Sequence, residues 1–261
     1  MFTQARQMTV NAPQFIARLA TSADEIEAAQ RLRYQVFVEE LGGAGDLIDH
    51  EKRLEQDRFD PFFDHLLLYD VSRENDPVVG VYRLLRGDKA EEVGQFYSED
   101  EYDLTILRAS GRKLLELGRS CLHADYRGSM AMFHLWNALA RYVFDNGIEV
   151  LFGVASFHGT DANLLAQPLS HLNDRHLAPV DLRVRARAYQ PMTLVPADKI
   201  DRRRAVLETP ALIKAYLKLG GFVGDGAFVD HRFNTTDVCL VLDTARMNEK
   251  QKNLYLRGND R

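Results

Sequence analysis

The sequence predicts an α/β domain with a mixed central sheet flanked by helices, and three features support this prediction. A strand pattern at 113–123, a helix pattern at 129–146 and a buried strand pattern at 150–157 follow one another, which implies parallel pairing of the two strands. Strand patterns at 65–70 and 78–85 flank a turn-forming segment and predict an antiparallel hairpin. Hydrophobic residues make up 46% of the 261-residue chain, which is enough for a sizeable core.

The other elements follow from local patterns. Ser22 precedes two acidic residues and an amphipathic pattern through Phe37, with Gly42-Gly43 as a stop, which predicts a helix. Because no repeat, low-complexity tract or linker divides the chain, we expect one domain over 14–243, with an elaborated segment at about 158–200 and tails at 1–13 and 244–261. The further predicted elements are a strand at 15–19, helices at 161–178 and 201–219, an alternating segment at 183–189, and closing strands at 221–230 and 236–243.

Composition and spacing exclude several classes of protein. The 33 basic and 38 acidic residues give a net charge of −5, so we expect no nucleic-acid partner that is bound through bulk charge. No segment approaches the roughly 18 consecutive apolar residues of a membrane span, so we expect a cytoplasmic protein with at most a peripheral contact at the inner membrane. The two cysteines cannot form a disulfide framework, and the histidines show no metal-ligand spacing, so we expect no metal.

The segment 113–123 is a candidate site because it places Glu116 and Arg119 in an otherwise apolar strand before a glycine turn and a long helix. An ionisable pair in such a strand is costly unless it is paired or used, so a structural ion pair and an active site are both open. The two side chains have opposite parity along the strand. A β-bulge at Gly118 would turn both toward one cleft, whereas a glycine that only packs against a neighbour would not.

The arrangement of elements resembles the GCN5-related N-acyltransferase (GNAT) fold, and a set of motifs makes the resemblance more specific. As a set, the motifs resemble the bacterial ornithine lipid N-acyltransferases over about 14–243, and a more distant similarity to acyl-homoserine-lactone synthases covers the N-terminal half. The motifs are Arg33-Tyr-Gln-Val-Phe37, Asp57-Arg-Phe-Asp60, Asp64-His65-Leu, Tyr82-Arg83-Leu-Leu, Phe96-Tyr-Ser-Glu-Asp-Glu-Tyr-Asp103, Glu116-Leu-Gly-Arg119, Pro191-Met-Thr-Leu-Val-Pro196 and Phe233-Asn-Thr-Thr-Asp237.

The resemblance implies an enzyme that moves a 3-hydroxyacyl chain from acyl carrier protein (ACP) to the α-amino group of L-ornithine, giving lyso-ornithine lipid. No cofactor is implied beyond the acyl-ACP donor. The alternatives are the same reaction on another amino acid such as glutamine, an acyl-homoserine-lactone synthase, and a non-enzymatic module that binds ACP or a membrane.

The resemblance also assigns roles to individual residues. Glu116 is expected to be the base that yields the neutral amine, with Arg119 and Asp64 as its catalytic partners. Without the family, the carboxylates of the 57–64 loop would be read as solvated charges, and Arg33 and Phe37 as a surface charge and a core ring. The expected substrate-binding residues are Arg33, Phe37, Asp57, Asp60 and Arg83, and the expected acyl or pantetheine contacts are Arg127, Gly128 and Ser129.

Two surface features bear on the donor. Acyl-CoA-using members of the fold have a glycine-rich pyrophosphate loop at the helix start, whereas this chain has Asp125 and Met130 there, which favours a carrier-protein donor. Alternating arginines at 183, 185 and 187 and a basic run at 202–204 are candidate docking sites for an acidic carrier protein or anionic lipid, with solvated surface arginines as the alternative.

Overall fold

The framework of the protein is an eight-stranded mixed sheet, seen in a computed structural model that describes residues 12–247. The strand order is β1-β2-β3-β5-β6-β10-β8, with β9 also paired to β10, while β4 and β7 form a separate two-stranded ladder. The strands are β1 (Phe15–Leu19), β2 (Asp64–Asp70), β3 (Val78–Arg86), β4 (Tyr102–Asp103), β5 (Leu114–Leu122), β6 (Val150–His158), β7 (Arg185–Ala186), β8 (Phe222–Val223), β9 (Phe228–Asp230) and β10 (Thr235–Asp243).

Helices cover both faces of this sheet. The long helix α4 and the shorter α7 pack on the face that carries Leu66, Leu84 and Leu117, and α1 packs on the other face against Leu67 and Val81. Within the described residues, no helix combines the length and the apolar character needed to cross a bilayer. The helices are α1 (Ala23–Arg33), α2 (Gly87–Val93), α3 (Thr105–Arg108), α4 (Ala131–Asp145), α5 (Ala166–His176), α6 (Arg202–Glu208) and α7 (Ala211–Lys218).

The predicted α/β fold class is confirmed, including the hairpin of β2 and β3 and the parallel pairing of β5 with β6 across α4. The Ser22 hydroxyl caps α1 by accepting from the Glu25 N–H, as its position before the acidic turn predicts. The apolar pattern continues beyond α1 as a π-helix, Tyr34–Glu40, which carries Phe37. The predicted helix at 201–219 is two helices, because Pro210 has no N–H to continue the first.

Two other elements are shorter than predicted. The alternating segment 183–189 pairs only at Arg185–Ala186, and the strand expected at 221–230 is divided into β8 and β9. The predicted tails lie almost wholly outside the described residues, which leave out 1–11 and 248–261.

A cleft opens where β5 and β6 part. The two strands pair only over 114–116 and 150–152, and beyond those residues they diverge. A Cβ atom at Gly153 would lie 2.1 Å from the Leu117 carbonyl oxygen, so only glycine permits the close approach at the point of divergence. The edge of β5 from Leu117 onward therefore faces a cavity instead of a neighbouring strand.

Candidate active site

Two cavities meet at the side chain of Arg119. The smaller, of about 250 Å³, lies between the diverging strands, and the larger, of about 600 Å³, lies between the 44–59 loop and the 228–233 segment. Tyr97, Arg119, Asp230 and Phe233 line both of them. The Arg119 guanidinium lies over two aromatic rings, 4.9 Å from the Tyr97 ring centre and 4.8 Å from that of Phe233, which fixes its position at the junction.

A β-bulge turns Arg119 toward this junction. The pairing of β3 with β5 shifts register between Val81 and Arg83, so Arg119 and Ser120 together face Tyr82. The bulge falls one residue later than predicted, since Arg119 itself has a φ of +49° and Gly118 does not. The expected consequence nevertheless holds, because Arg119 reaches the face of the sheet on which Glu116 lies.

A buried ionic network fixes the position of the Arg119 guanidinium. Arg119 Nε donates to Glu55 at 3.1 Å, and Arg33 Nε donates to the other oxygen of the same carboxylate at 2.5 Å. Arg33 and Arg83 both donate to Asp60 Oδ1, at 2.7 and 2.6 Å, and Arg83 also donates to Asp57 at 2.8 Å. The network therefore joins three guanidiniums to three carboxylates.

Burial and charge act in opposite directions on these carboxylates. Burial raises the pKa of Asp60, but the guanidiniums of Arg33 and Arg83 outweigh burial and hold that pKa well below its usual range. Arg33 and Arg83 are both 0% exposed, so neither is a solvated surface charge. Both oxygens of Asp60 accept from buried arginines of the protein, whereas Asp57 pairs with Arg83 and also lines the larger cavity. The predicted role of the two carboxylates in substrate binding remains a prediction.

Glu116 is fully buried and its carboxylate is occupied. Glu116 accepts hydrogen bonds from the Tyr97 N–H at 2.7 Å, from the Ser98 N–H at 2.6 Å and from the Ser98 hydroxyl. Burial raises the pKa of Glu116 to about 7, although these donors oppose the shift. The Glu116 side chain is not among the residues that line either cavity. Its link to Arg119 is indirect, since Glu116 holds the Tyr97 backbone and the Tyr97 ring contacts the Arg119 guanidinium.

Asp64, predicted as catalytic, lies on the opposite face of the sheet. Its carboxylate accepts from the Tyr142 hydroxyl of α4 at 2.5 Å, and Arg86 lies 3.5 Å away. The alternation of β2 accounts for this, because neighbouring residues of a strand point to opposite faces. His65 instead points toward the ionic network and bonds to the Asp60 carbonyl group. The structure thus separates Asp64 from Arg119.

Phe37 lies where the resemblance places it, on the wall of the smaller cavity, with its ring centre 6.0 Å from the Arg119 guanidinium. The π-helix positions this ring at the cleft directly after the Arg33 anchor. A cleft-lining role was one of two open interpretations, and the location of Phe37 agrees with it.

The three predicted pantetheine contacts lie beyond the end of β5, outside the walls of the two cavities. Arg127 pairs with Glu40 at 2.6 Å, Gly128 has a φ of +76°, and the Ser129 hydroxyl accepts from the Ala131 N–H at the start of α4. Their predicted role remains a prediction.

The alternating arginines share the solvent side of their segment, as predicted, but each has a partner within the protein. Arg183 donates to the Ala178 carbonyl group, Arg185 pairs with Asp225, and Arg187 donates to the Glu99 carbonyl group.

Several residues at the junction were not predicted as site residues. Glu55 gives no local signal, since a loop carboxylate is common, and Tyr97 lies within the 96–103 motif but was assigned no role. Asp237 did give a signal, because a carboxylate within the apolar strand β10 is as costly as Glu116 within β5. Together with Glu101 and Asp230, Asp237 forms a cluster of three carboxylates beside Arg119.

An apolar path leads away from the smaller cavity. A narrow gap next to it shares the walls Tyr82, Leu117 and Leu212. The same gap shares Leu151, Tyr216 and Leu242 with an apolar cavity of about 350 Å³ between α4 and α7. The narrow gap is therefore an apolar passage that adjoins both the smaller cavity at the junction and the apolar cavity between α4 and α7.

Comparison with known proteins agrees with this architecture. Residues 32–137 match the acetyltransferase (GNAT) domain family. Among solved structures, FeeM, an N-acyl amino acid synthase from uncultured soil microbes, superposes with a TM-score of 0.53 at 14% identity, covering 95% of this chain and 100% of that one. The acyl-homoserine lactone synthase LasI gives a TM-score of 0.50 at 16% identity, covering 95% of this chain and 96% of that one. These similarities show the fold.

Curated relatives are much closer in sequence. The L-ornithine N(alpha)-acyltransferase of Rhodobacter capsulatus is 63% identical over 92% of this chain and 94% of its own length. The enzyme of the same name from Brucella abortus is 41% identical over 91% of this chain and 87% of its own, and that of Rhizobium meliloti is 40% identical over 91% and 83%. The chain is thus an N-acyltransferase and belongs to the L-ornithine N(alpha)-acyltransferase family.

Proposed function

We propose that this enzyme transfers a 3-hydroxyacyl chain from acyl-ACP to the α-amino group of L-ornithine and releases lyso-ornithine lipid. The observation that carries the proposal is the junction at Arg119, where a polar cavity and the start of an apolar passage meet. The polar cavity suits an amino acid, and the apolar passage suits a fatty acyl chain. The activity named for the curated relatives supports the choice of acceptor.

The thioester carbonyl group would lie at the divergence of β5 and β6. There the edge of β5 from Leu117 to Ser120 has no strand partner on the β6 side, and its backbone together with Arg119 can supply donors to a developing oxyanion. The neutral α-amine attacks the carbonyl carbon, the C–N bond forms and the C–S bond breaks. The attacking nitrogen loses one proton and the departing pantetheine thiolate gains one, so the products are a neutral amide and a thiol.

Glu116 acts in this account as a positioning residue. It anchors the Tyr97–Ser98 turn, and the Tyr97 ring supports the Arg119 guanidinium. Because small displacements of a catalytic group cost much in rate, a buried carboxylate that fixes this contact matters without touching the substrate.

The apolar cavity between α4 and α7 is the proposed site for the distal part of the acyl chain. We expect Ala140→Trp to fill part of this cavity and to lower kcat/KM for long-chain acyl-ACP by about 10-fold or more relative to short-chain acyl-ACP, since each lost methylene contact weakens binding. Steady-state kinetics over a series of chain lengths measures this. Arg141→Trp, which adds the same ring on the exposed side of α4, is the matched control and should leave the preference unchanged.

The donor is tested by comparing acyl-ACP with the matching acyl-CoA at equal concentration, with ornithine as the acceptor. We expect acyl-ACP to be used far better, because Asp125 is exposed in the 3₁₀ turn Ala124–Tyr126 that precedes α4 and would repel a CoA pyrophosphate. Product formation followed by mass spectrometry measures both rates. Equal rates with the two donors would remove the carrier protein from the proposal and leave the acyltransferase activity in place.

A further inference from the structure

The carboxylate cluster of Glu101, Asp230 and Asp237 lies where both cavities meet. One oxygen from each residue lies within 4.8 Å of the others. Asp237 lines the smaller cavity, Glu101 lines the larger one, and Asp230 lines both. The cluster thus borders the position proposed for the acceptor and lies beside Arg119.

Two of these carboxylates are buried with one oxygen that no group of the described residues satisfies. Glu101 is 5% exposed and Asp237 is 3% exposed, and within residues 12–247 neither Glu101 Oε2 nor Asp237 Oδ1 has a hydrogen-bond partner. The Ser156 and Thr235 hydroxyl groups lie near the Asp237 carboxylate and lower its pKa, but burial outweighs them. A buried acceptor without a donor is costly, and native structures retain few of them. Asp230 Oδ1, in contrast, accepts from the Arg232 and Phe233 N–H groups, which orients that carboxylate.

The neighbouring arginines do not neutralise the cluster. Arg119 is the guanidinium that borders it, and Arg119 is already paired with Glu55 and Asp57. Arg33 and Arg83 are likewise matched by carboxylates of the ionic network. Among the described residues, the three clustered carboxylates therefore form no ion pair of their own, although the Arg119 charge lowers the pKa of Glu101 and of Asp237. A cationic group of the acceptor would supply such a pair.

We propose that Glu101, Asp230 and Asp237 bind the side-chain ammonium group of the acceptor, so that the enzyme selects amino acids with a second amine. This inference rests on the proposed function. The three oxygens lie no more than 4.8 Å apart, so a point equidistant from them in a triangle of that size lies at most about 2.8 Å from each, within the usual length of a charged N–H···O bond. One ammonium nitrogen with three N–H groups can thus meet three carboxylates, whereas a calcium or magnesium ion requires six or more oxygen ligands.

The protonation of the empty cluster agrees with this geometry. Burial raises the pKa of Asp237 to about 6, and burial followed by the nearby Asp237 charge raises the pKa of Glu101 well above its usual range. Both shifts have the direction expected where like charges lie close together without a cation, and an ammonium group bound among the three carboxylates should lower both pKa values. Calorimetry in buffers of different ionisation enthalpy detects any protons that are released when ornithine binds.

The test compares ornithine with norvaline, which has the same carbon chain without the second amine. With acyl-ACP as donor, Asp237→Asn and Glu101→Gln should each raise the KM for ornithine by about 10-fold or more, and should lower kcat/KM for ornithine by a much larger factor than kcat/KM for norvaline. Asp145→Asn, an exposed carboxylate at the end of α4, is the control and should change neither. Unchanged ornithine KM in both variants, or equal use of ornithine and norvaline by the unaltered enzyme, overturns the inference.

Folding and metal binding are followed in parallel. The amide variants should melt no lower than the parent, since they remove repulsion between buried like charges. Binding of ornithine alone, measured by calorimetry without a donor, tests the cluster even if no acyl transfer occurs, so this inference and the proposed function fail separately. Tight binding of Mg²⁺ or Ca²⁺ alone that is lost in Asp237→Asn would assign the cluster to a metal and overturn the inference.

Discussion

Replacing Glu116 with alanine is expected to lower kcat by about 10²-fold, because the Tyr97–Ser98 turn loses its anchor and Arg119 loses the ring that positions it. Steady-state kinetics with acyl-ACP and ornithine measures the loss, and circular dichroism establishes that the variant is folded. Glu116→Gln keeps the size of the side chain, and its amide oxygen can accept from Ser98. Its NH2 group, however, would face the Tyr97 N–H, and two donors cannot bond to each other. We expect it to lose less activity than the alanine variant.

The pH profile separates positioning by Glu116 from proton abstraction by it. If Glu116 were the base, its pKa of about 7 would make kcat/KM rise through neutral pH as the carboxyl group loses its proton, and that rise would vanish in Glu116→Gln. If Glu116 only positions Arg119, kcat/KM of the unaltered enzyme and of Glu116→Gln should depend on pH in the same way, with lower values for the variant. Loss of the rise in the glutamine variant would return Glu116 to the role of base.

Asp60→Asn is expected to lower the free energy of unfolding by about 3–5 kcal/mol, because it leaves two buried guanidiniums without the carboxylate they share. Urea unfolding measures this change. The matched control is Asp64→Asn, four positions along the chain, whose half-exposed carboxylate accepts from the Tyr142 hydroxyl group and lies 3.5 Å from the partly exposed Arg86. The control should lose about 1 kcal/mol or less. Equal losses in the two variants would contradict the central place of Asp60 in the network.

The same network predicts how stability depends on pH. The folded-state pKa of Asp60 is depressed, so its ionised form stabilises the fold at pH values above the unfolded pKa of about 4. That contribution is lost as the pH falls further, toward the folded pKa. The unaltered protein should therefore lose stability steeply below about pH 4, and Asp60→Asn should lose less there.

The sequence predicted the strands that carry the site better than it predicted the contacts between the side chains of the site. The pattern around Glu116 predicted a buried strand and left open whether Gly118 marks a bulge or only packs against a neighbour. The bulge is present, at Arg119, and the Arg119 guanidinium donates to Glu55. Asp57 and Asp60 were expected to bind the substrate or, without the family, to be solvated loop charges, and the structure pairs both with buried arginines. The choice between the two could not be made from spacing, since it depends on where Arg33 and Arg83 lie in three dimensions.

The acidic cluster shows what sequence spacing alone does not contain. Glu101, Asp230 and Asp237 come from distant parts of the chain and meet only because β10 pairs with β6 and β9, while β4 pairs with β7. The apolar surroundings of Asp237 were nevertheless visible in the sequence, and the cost of burying a charge applies there as it does at Glu116. The same cost argument, applied to every strand, would have marked Asp237 as a site residue.

The most direct test of the account is the position of the new amide bond. Purified enzyme is incubated with 3-hydroxyacyl-ACP and ornithine labelled with ¹⁵N at the side-chain nitrogen, and the product is fragmented by tandem mass spectrometry. We predict that the acyl chain is attached to the unlabelled α-nitrogen and that the labelled nitrogen remains a free amine. Acylation of the labelled nitrogen, or no acylated ornithine at all, would contradict the proposed function.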